Sequence, residues 1–256
     1  MQLPSLRNFV PNWRESSYLV PKTLLRTFGR MIVATFLAMA GLFVVIQCWF
    51  ALQVWWYADH APGHTAFMSY RMGELHDKQP DAKLRYDWVP YAKISRNLKR
   101  ALIASEDSTF VDHEGFDWDG IQLALEKNRA KGKTVAGGST ITQQLAKNLF
   151  LSPEKSYLRK GQEAIITLML EHMLDKERIL ELYLNVIEWG NGIFGAEAAA
   201  RRYYGVSAAQ LSAEQAAKLA AMAPNPRFYE RNLGAPGLRR KTGIILARMP
   251  QVELPD

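Results

Sequence analysis

The chain has 256 residues, of which 48% are hydrophobic and 22% are charged, and it contains a single cysteine. One cysteine excludes a disulfide framework within the chain, and the ordinary apolar content excludes a disordered or collagen-like polypeptide. The formal net charge is +7, from 32 Lys and Arg residues against 25 Asp and Glu residues.

An uncharged segment, residues 31–58, is rich in Leu, Val, Ile and Phe. About 20 apolar helical residues cross a hydrocarbon core, so the segment predicts a transmembrane helix, with Trp55 and Trp56 in an interfacial aromatic belt. A cleaved signal peptide is the alternative, but its apolar region is only ~7–15 residues long. Residues 1–30 carry five Lys and Arg residues against one Glu. The positive-inside rule therefore predicts a cytoplasmic basic tail and export of residues 59–256.

The exported part divides by composition into two segments. Proline and glycine interrupt residues 59–93, so we expect an irregular juxtamembrane linker there. From residue 94 to residue 256, apolar residues recur at helical spacing with almost no period-two alternation, which predicts one all-α (mostly helical) domain.

Capping signals mark several helix starts within that domain. Ser or Thr followed three residues later by Gln is typical of a capping box, and Ser followed by Pro is typical of an N-cap and first turn. These signals predict helix starts at Thr140 and Ser212 and a long helix from Ser152-Pro153 toward Leu174. Apolar spacing predicts further helices over residues 97–106, 118–129 and 176–187.

The run from Glu106 to Asp117 holds five carboxylates and one histidine directly after an apolar helix. Glu106 would end that helix, held against the core near the negative end of the helix dipole. Such surroundings favour proton uptake by a carboxylate and suit general acid–base chemistry. A solvated acidic turn is the alternative that these residues leave open.

A second candidate site combines glycines, a helix start and cations. Gly137 and Gly138 lead into the predicted helix start at Thr140, where free backbone N–H groups and the helix dipole attract an anion. Lys147 would add a positive charge two turns further along. An ordinary capped loop is the alternative.

A third candidate site joins two cations with an acidic residue. Arg159 and Lys160 precede Glu163 by four and three residues, so the three can share one helix face; a surface ion pair is the alternative. No His or Cys spacing matches a metal site. Glu106 and Glu163, with cations between them, are residue types suited to acid–base catalysis on a sugar that carries a phosphate leaving group.

Four sequence blocks occur in the order that is found in a known family. They are the run Glu106–Asp117, the run GGSTITQQLAKN ending at Asn148, the pattern Arg159-Lys160-x-x-Glu163, and KERILELYLN at residues 176–185. From about residue 98 to residue 249 the chain resembles the peptidoglycan glycosyltransferases that polymerise lipid II, glycosyltransferase family 51. Because little sequence follows, we expect a member without a transpeptidase domain, of the Gram-negative type.

The resemblance implies a lysozyme-like, two-lobed fold and inverting transfer of the growing undecaprenyl-diphosphate-linked chain to the GlcNAc 4-hydroxyl of lipid II. It implies Glu106 as the general base. It implies Glu163 as the residue that assists departure of the diphosphate, directly or through a divalent cation (Mg²⁺ or Mn²⁺), with no other cofactor. The implied substrate-binding residues are Ser139, Thr140, Gln144, Lys147, Asn148, Arg159 and Lys160, and the residues implied to support the site are Asp107, Phe110 and His113.

The expected partners are lipid II, the growing glycan chain, the bilayer and other cell-wall or cell-division proteins. The expected location is the bacterial inner membrane, with the catalytic domain in the periplasm. A lytic, lysozyme-like glycosidase acting on finished peptidoglycan is the alternative enzyme, but it would not need the anion-binding residues. The modest charge of the exported part argues against a nucleic-acid-binding anchor.

Overall fold

The computed structural model describes residues 22–133, 137–154 and 156–255. The chain divides into two compact units between Cys48 and Trp49. Most of the predicted cytoplasmic tail, residues 1–21, lies outside the described residues.

Helix α1, Lys22–Asp59, crosses the boundary between the two units. It is the one helix of the described residues that is long and apolar enough to cross a membrane, with a mean hydropathy of 2.3 over its most apolar window. This helix fits a single-pass membrane anchor. Its 38 residues extend over about 57 Å at 1.5 Å per residue, more than the roughly 30 Å of a hydrocarbon core. Its last turns belong to the second unit, where Val54 is fully buried in the core.

The second unit is built from short helices, and the all-α prediction is confirmed. After α1 come α2 (Ala66–His76), α3 (Arg96–Glu106), α4 (Trp118–Lys131), α5 (Ile141–Phe150), α6 (Tyr157–Met173), α7 (Lys176–Val186), α8 (Ala196–Tyr204), α9 (Ala213–Met222), α10 (Pro226–Arg231) and α11 (Pro236–Arg248). Three short strands, β1 (Arg85–Tyr86), β2 (Glu188–Gly190) and β3 (Ile193–Phe194), form a sheet with β3 in the middle, parallel to β1 and antiparallel to β2. The lysozyme-like, two-lobed arrangement stays a prediction.

The predicted capping boxes form at both positions. The Thr140 hydroxyl accepts from the Gln143 backbone N–H at 3.2 Å, and the Gln143 side chain accepts from the Thr140 N–H at 3.1 Å. Ser212 and Gln215 make the same exchange at the start of α9. Both helices begin where the sequence predicts because the signal is local and each box satisfies two otherwise unpaired N–H groups.

The predicted start of α6 was wrong. The helix begins at Tyr157, and the Ser156 hydroxyl caps it by accepting from the Arg159 N–H at 3.1 Å. Ser152-Pro153 lies in the preceding loop instead. The fixed φ of proline suits a turn as well as a first helical turn, so the Ser-Pro pair did not discriminate between them.

The prediction of an irregular segment over residues 59–93 was also wrong in part, since α2 and β1 lie within it. Thr65 caps α2 through the Met68 N–H at 3.2 Å, and Arg71 donates to the buried Glu188 carboxylate at 3.1 Å. Long-range contacts of this kind hold a short helix that has little periodicity of its own. A smaller difference concerns α4, where Leu123 and Leu125, two of the apolar residues whose spacing predicts this helix, are exposed.

Two helix groups meet where the candidate residues lie. Helix α7 runs through the core with Ile179, Leu180 and Leu182 fully buried, and α5 packs against both α6 and α7. Helix α3 packs against α9 and α11. At the C-terminal end of α3, Glu106 accepts a hydrogen bond from Gln144 of α5 at 3.0 Å, which brings the two helix groups together.

Candidate active site

Glu106 is the last residue of α3, and its half-buried carboxylate accepts hydrogen bonds from neutral groups. Oε2 accepts from Nε2 of Gln144 at 3.0 Å, and Oε1 accepts from the Ser105 hydroxyl at 3.1 Å. An ionised carboxylate has about four lone-pair sites. Glu106 therefore keeps acceptor capacity for a further donor, such as a substrate hydroxyl.

Cavities of about 520 Å³ and 550 Å³ border Glu106, and it contributes to the walls of both. Ser139 and Arg248 also line both cavities. The first cavity extends along α4 to Lys127, and the second extends along α11 to Lys241. Each volume lies within the ~300–1,000 Å³ of ordinary ligand sites, and the two cavities share the wall around Glu106.

The buried carboxylate of Asp107 ties the turn after α3 to the start of α5. One oxygen contacts Nε2 of His113 at 2.8 Å, and the other accepts from the Ile141 backbone N–H at 2.9 Å. Nδ1 of His113 accepts from the Gly115 N–H at 3.2 Å, which assigns the donating hydrogen to Nε2. Phe110 is fully buried with its ring edge-to-face against the imidazole. The three residues predicted to support the site thus form one connected group on the turn that follows Glu106.

Gln144 links Glu106 to Tyr183. From the sequence, apolar spacing predicts Tyr183 only as a core residue of the helix over residues 176–187. The Tyr183 hydroxyl donates to Oε1 of Gln144 at 2.9 Å. Tyr183 is buried, and its pKa is raised well above its ordinary value by burial and by the negative charges of Glu106 and Asp107. A buried tyrosine hydroxyl usually has a hydrogen-bond partner, and that requirement is the signal that could have pointed to this contact.

Glu163 lies on α6 and is only 3% exposed. Nη1 of Arg159 donates to one carboxylate oxygen at 2.6 Å, and Nζ of Lys160 donates to the other. Spacings of four and three residues place both cations over the same face of the helix. The predicted grouping of Arg159, Lys160 and Glu163 is present in the structure, with the carboxylate buried beneath the two cations.

Ser139 and Lys147 connect the surroundings of the two glutamates. Nζ of Lys160 donates to the Ser139 hydroxyl at 3.5 Å, and Ser139 lines both cavities beside Glu106. The Lys147 ammonium interacts electrostatically with both Glu163 and Glu106. Its pKa is lowered, chiefly by burial and further by the positive charges of Arg159 and Lys160. The contact between Lys160 and Ser139 thus joins the surroundings of Glu163 to the wall of the cavities beside Glu106, although Lys147, Arg159, Lys160 and Glu163 line neither cavity.

The Transglycosylase family model matches residues 73–250. The chain belongs to this family. It is 62% identical over 231 residues to a biosynthetic peptidoglycan transglycosylase of Dechloromonas aromatica, covering 90% of this chain and all of the relative. Proteins of the same description from Janthinobacterium sp. and Azoarcus sp. are 63% and 58% identical, over 84% and 91% of this chain and 93% and 99% of theirs. The match begins inside α2, ahead of the predicted domain start at residue 94.

Two of the predicted substrate contacts of this transglycosylase, Thr140 and Asn148, are buried. The Thr140 hydroxyl donates to the Gly115 carbonyl at 2.7 Å and accepts from Gln143. These contacts fix the loop before α5; Thr140 also lines the first cavity, and its role as a substrate contact stays a prediction. Asn148 follows Lys147 on α5 and is buried.

The donor set around Glu163 does not form a pre-built cation site. Both carboxylate oxygens of Glu163 are already engaged by Arg159 and Lys160. Among the described residues no three His, Cys, Asp or Glu side chains are grouped for a metal ion. Magnesium is usually held by one or two carboxylates together with substrate phosphates. The predicted divalent cation that accompanies a diphosphate stays a prediction.

Proposed function

We propose that this transglycosylase polymerises peptidoglycan by transferring the growing undecaprenyl-diphosphate-linked chain to the GlcNAc 4-hydroxyl of lipid II, with inversion. The observation that carries the proposal is the combination, in one site, of a carboxylate with spare acceptor capacity and a group of cations. The names of the relatives support peptidoglycan synthesis as the process.

Glu106 is the base of the proposed reaction. It accepts the proton of the acceptor 4-hydroxyl while that oxygen forms a bond to C1 of the donor sugar. The bond between C1 and the diphosphate oxygen breaks on the opposite face, and the diphosphate leaves with the electron pair. One displacement inverts the anomeric centre, so no covalent glycosyl-enzyme forms. The two cavities that border Glu106 are the proposed places for the acceptor and donor sugars.

Lys147, Arg159 and Lys160 are the proposed diphosphate-binding residues. A diphosphate leaving group needs its charge stabilised in the transition state more than it needs a proton. Arginine offers paired donors to phosphate oxygens, and lysine acts as a point charge. Glu163 holds the Arg159 and Lys160 side chains against α6 before the substrate arrives, which reduces the entropy lost on binding.

We further propose that the catalytic unit faces the periplasm from the bacterial inner membrane. Anchoring the enzyme in the bilayer that holds its lipid-linked substrates raises their effective concentration. Tyr157 and Leu158, at the start of α6, are 98% and 89% exposed, and they are the proposed contacts with the bilayer surface. Phe150, at the end of α5, is not one of these proposed contacts, because its ring packs against Phe50 within the second unit, at 5.5 Å between ring centroids. Partnership with other cell-wall proteins stays a prediction.

Incubation of the full chain in detergent with labelled lipid II tests the proposal. Long glycan strands are expected, and the same protein should release no fragments from finished sacculi. Release of fragments without polymerisation would instead support the lytic alternative.

Lys160→Ala tests the diphosphate assignment. We expect donor affinity to fall about tenfold because one charge-assisted contact is removed, while Lys160→Arg keeps most of it. An unchanged donor affinity in Lys160→Ala would contradict the assignment.

A further inference from the structure

We propose that Tyr183 is a positioning residue for the base: its hydroxyl fixes the Gln144 amide in the orientation that donates to Glu106. The fixed amide keeps the Glu106 carboxylate ionised and oriented. This inference rests on the proposed role of Glu106 as a proton acceptor, and it extends the site to Tyr183, which lines neither cavity beside Glu106.

The geometry forms a single chain of donors and acceptors across three helices. The Tyr183 hydroxyl on α7 donates to Oε1 of Gln144 on α5 at 2.9 Å. Nε2 of the same amide donates to Oε2 of Glu106 at the end of α3 at 3.0 Å. Tyr183 is 1% exposed, so water does not compete for its hydroxyl.

A glutamine amide has a donor end and an acceptor end of nearly equal size, and a half-turn exchanges them. With its NH₂ toward Glu106, the amide stabilises the ionised carboxylate. With its carbonyl oxygen there, it favours a protonated Glu106, which cannot act as a base. Because burial raises the pKa of Tyr183, its hydroxyl keeps its proton and remains a donor at working pH. The productive orientation of Gln144 is therefore the one in which both ends of the amide are satisfied.

Other charged groups lie near Glu106, so the comparison must hold them constant. They lie on the neighbouring turn, on α5, and along the two cavities formed with α4 and α11: Asp107, Asp117, Lys127, Lys147, Lys241 and Arg248. Tyr183→Phe leaves every one of them in place. A change in pH dependence in that variant then reports the lost hydroxyl.

Tyr183→Phe removes one oxygen atom and retains the ring. We expect kcat to fall about tenfold with the KM for lipid II nearly unchanged. Hydrogen bonding to the charged form of an acid favours that form, so losing the amide orientation should move the acid limb of the kcat/KM profile to higher pH. The expected shift is about one pH unit, a tenfold change in proton affinity.

Tyr203→Phe is the matched control. The Tyr203 hydroxyl donates to the Trp189 carbonyl at 2.7 Å, so this change also removes one internal hydrogen bond but leaves the Glu106 contacts intact. Polymerisation and its pH profile should be unaltered. An acid limb that stays in place in Tyr183→Phe, or that moves equally in both variants, would overturn the inference.

A double-mutant cycle separates action through Gln144 from a general structural effect. If Tyr183 acts only through the amide, Gln144→Leu should shift the acid limb in the same direction, and adding Tyr183→Phe should change nothing further. Independent, multiplicative losses would overturn the inference. Should Tyr183→Phe fail to fold, Gln144→Leu alone decides, since an unshifted acid limb in that variant contradicts the proposal.

The wild-type protein separates this inference from the proposed function. If the wild type makes no polymer, the proposed function is refuted. If the wild type polymerises and the variants lack these pH shifts, only this inference is refuted.

Discussion

Glu106 and Glu163 have identical side chains, but the fold holds them in opposite surroundings. Glu163 is buried, and a guanidinium and an ammonium contact its two oxygens. Glu106 is half-buried beside two cavities, and its hydrogen-bond donors among the described residues are an amide and a hydroxyl. Both oxygens of Glu163 are thus occupied by cationic donors, whereas Glu106 keeps acceptor capacity for a substrate hydroxyl.

The difference shows how one residue type serves two purposes in a single site. Glu163 holds the Arg159 and Lys160 side chains in place, and its own two oxygens are thereby occupied. In the proposed mechanism these two cations bind the diphosphate. Lys147 lies within the electrostatic reach of both carboxylates and is itself partly desolvated, so it links the proposed base to the proposed leaving-group site.

Glu106→Gln should have the largest effect. The change keeps the shape of the side chain but removes the proton acceptor, and general-base catalysis contributes roughly 10²- to 10⁴-fold. We expect the polymerisation rate to fall by that amount, with lipid II binding and the melting temperature near those of the wild type. Rates from labelled lipid II, together with thermal unfolding, measure both quantities. Full activity in Glu106→Gln would remove Glu106 from the mechanism.

Glu163→Gln should instead lower the stability of the protein and weaken its binding of the donor. Its carboxylate is buried under Arg159 and Lys160, so neutralising it weakens two charge-assisted hydrogen bonds, at a cost of about 1–3 kcal/mol in the free energy of unfolding. We expect a lower melting temperature and a higher KM for the donor, because the two cations are no longer held in place. The exposed Glu126 on α4, whose carboxylate accepts from the Gln122 amide at 3.1 Å, offers the control Glu126→Gln, which should leave both quantities unchanged. Unchanged stability in Glu163→Gln would contradict the structural half of its role.

The sequence predicts the contacts that are local and misses those that depend on the tertiary fold. Arg159, Lys160 and Glu163 lie within about one helical turn of each other, and the α5 capping box spans only four residues, so spacing alone indicates both. The pairs Tyr183–Gln144 and Gln144–Glu106 are separated by 39 and 38 residues. No periodicity reports a contact at that distance along the chain. The same reason explains α2, whose place depends on long-range partners such as Glu188.

Substitution of Lys147 should have the smallest effect, but it tests the contrast between the two carboxylates most selectively. Burial lowers the pKa of its ammonium below the ordinary lysine value of 10.5. As the pH rises through that lowered value, the side chain loses its charge and the free enzyme loses attraction for the diphosphate. The alkaline limb of kcat/KM, which reports the free enzyme, should therefore fall at a lower pH than an ordinary lysine would set.

Lys147→Arg should move that limb to higher pH, because a guanidinium remains charged throughout the range. The effect near neutral pH should be small, within roughly threefold, since both side chains are charged there and differ mainly in shape. Lys160→Arg is the control, because Lys160 is half exposed and its replacement leaves the buried ammonium in place. An alkaline limb that shifts in Lys160→Arg but not in Lys147→Arg would assign the titration to Lys160 and would remove Lys147 as the link between the two carboxylates.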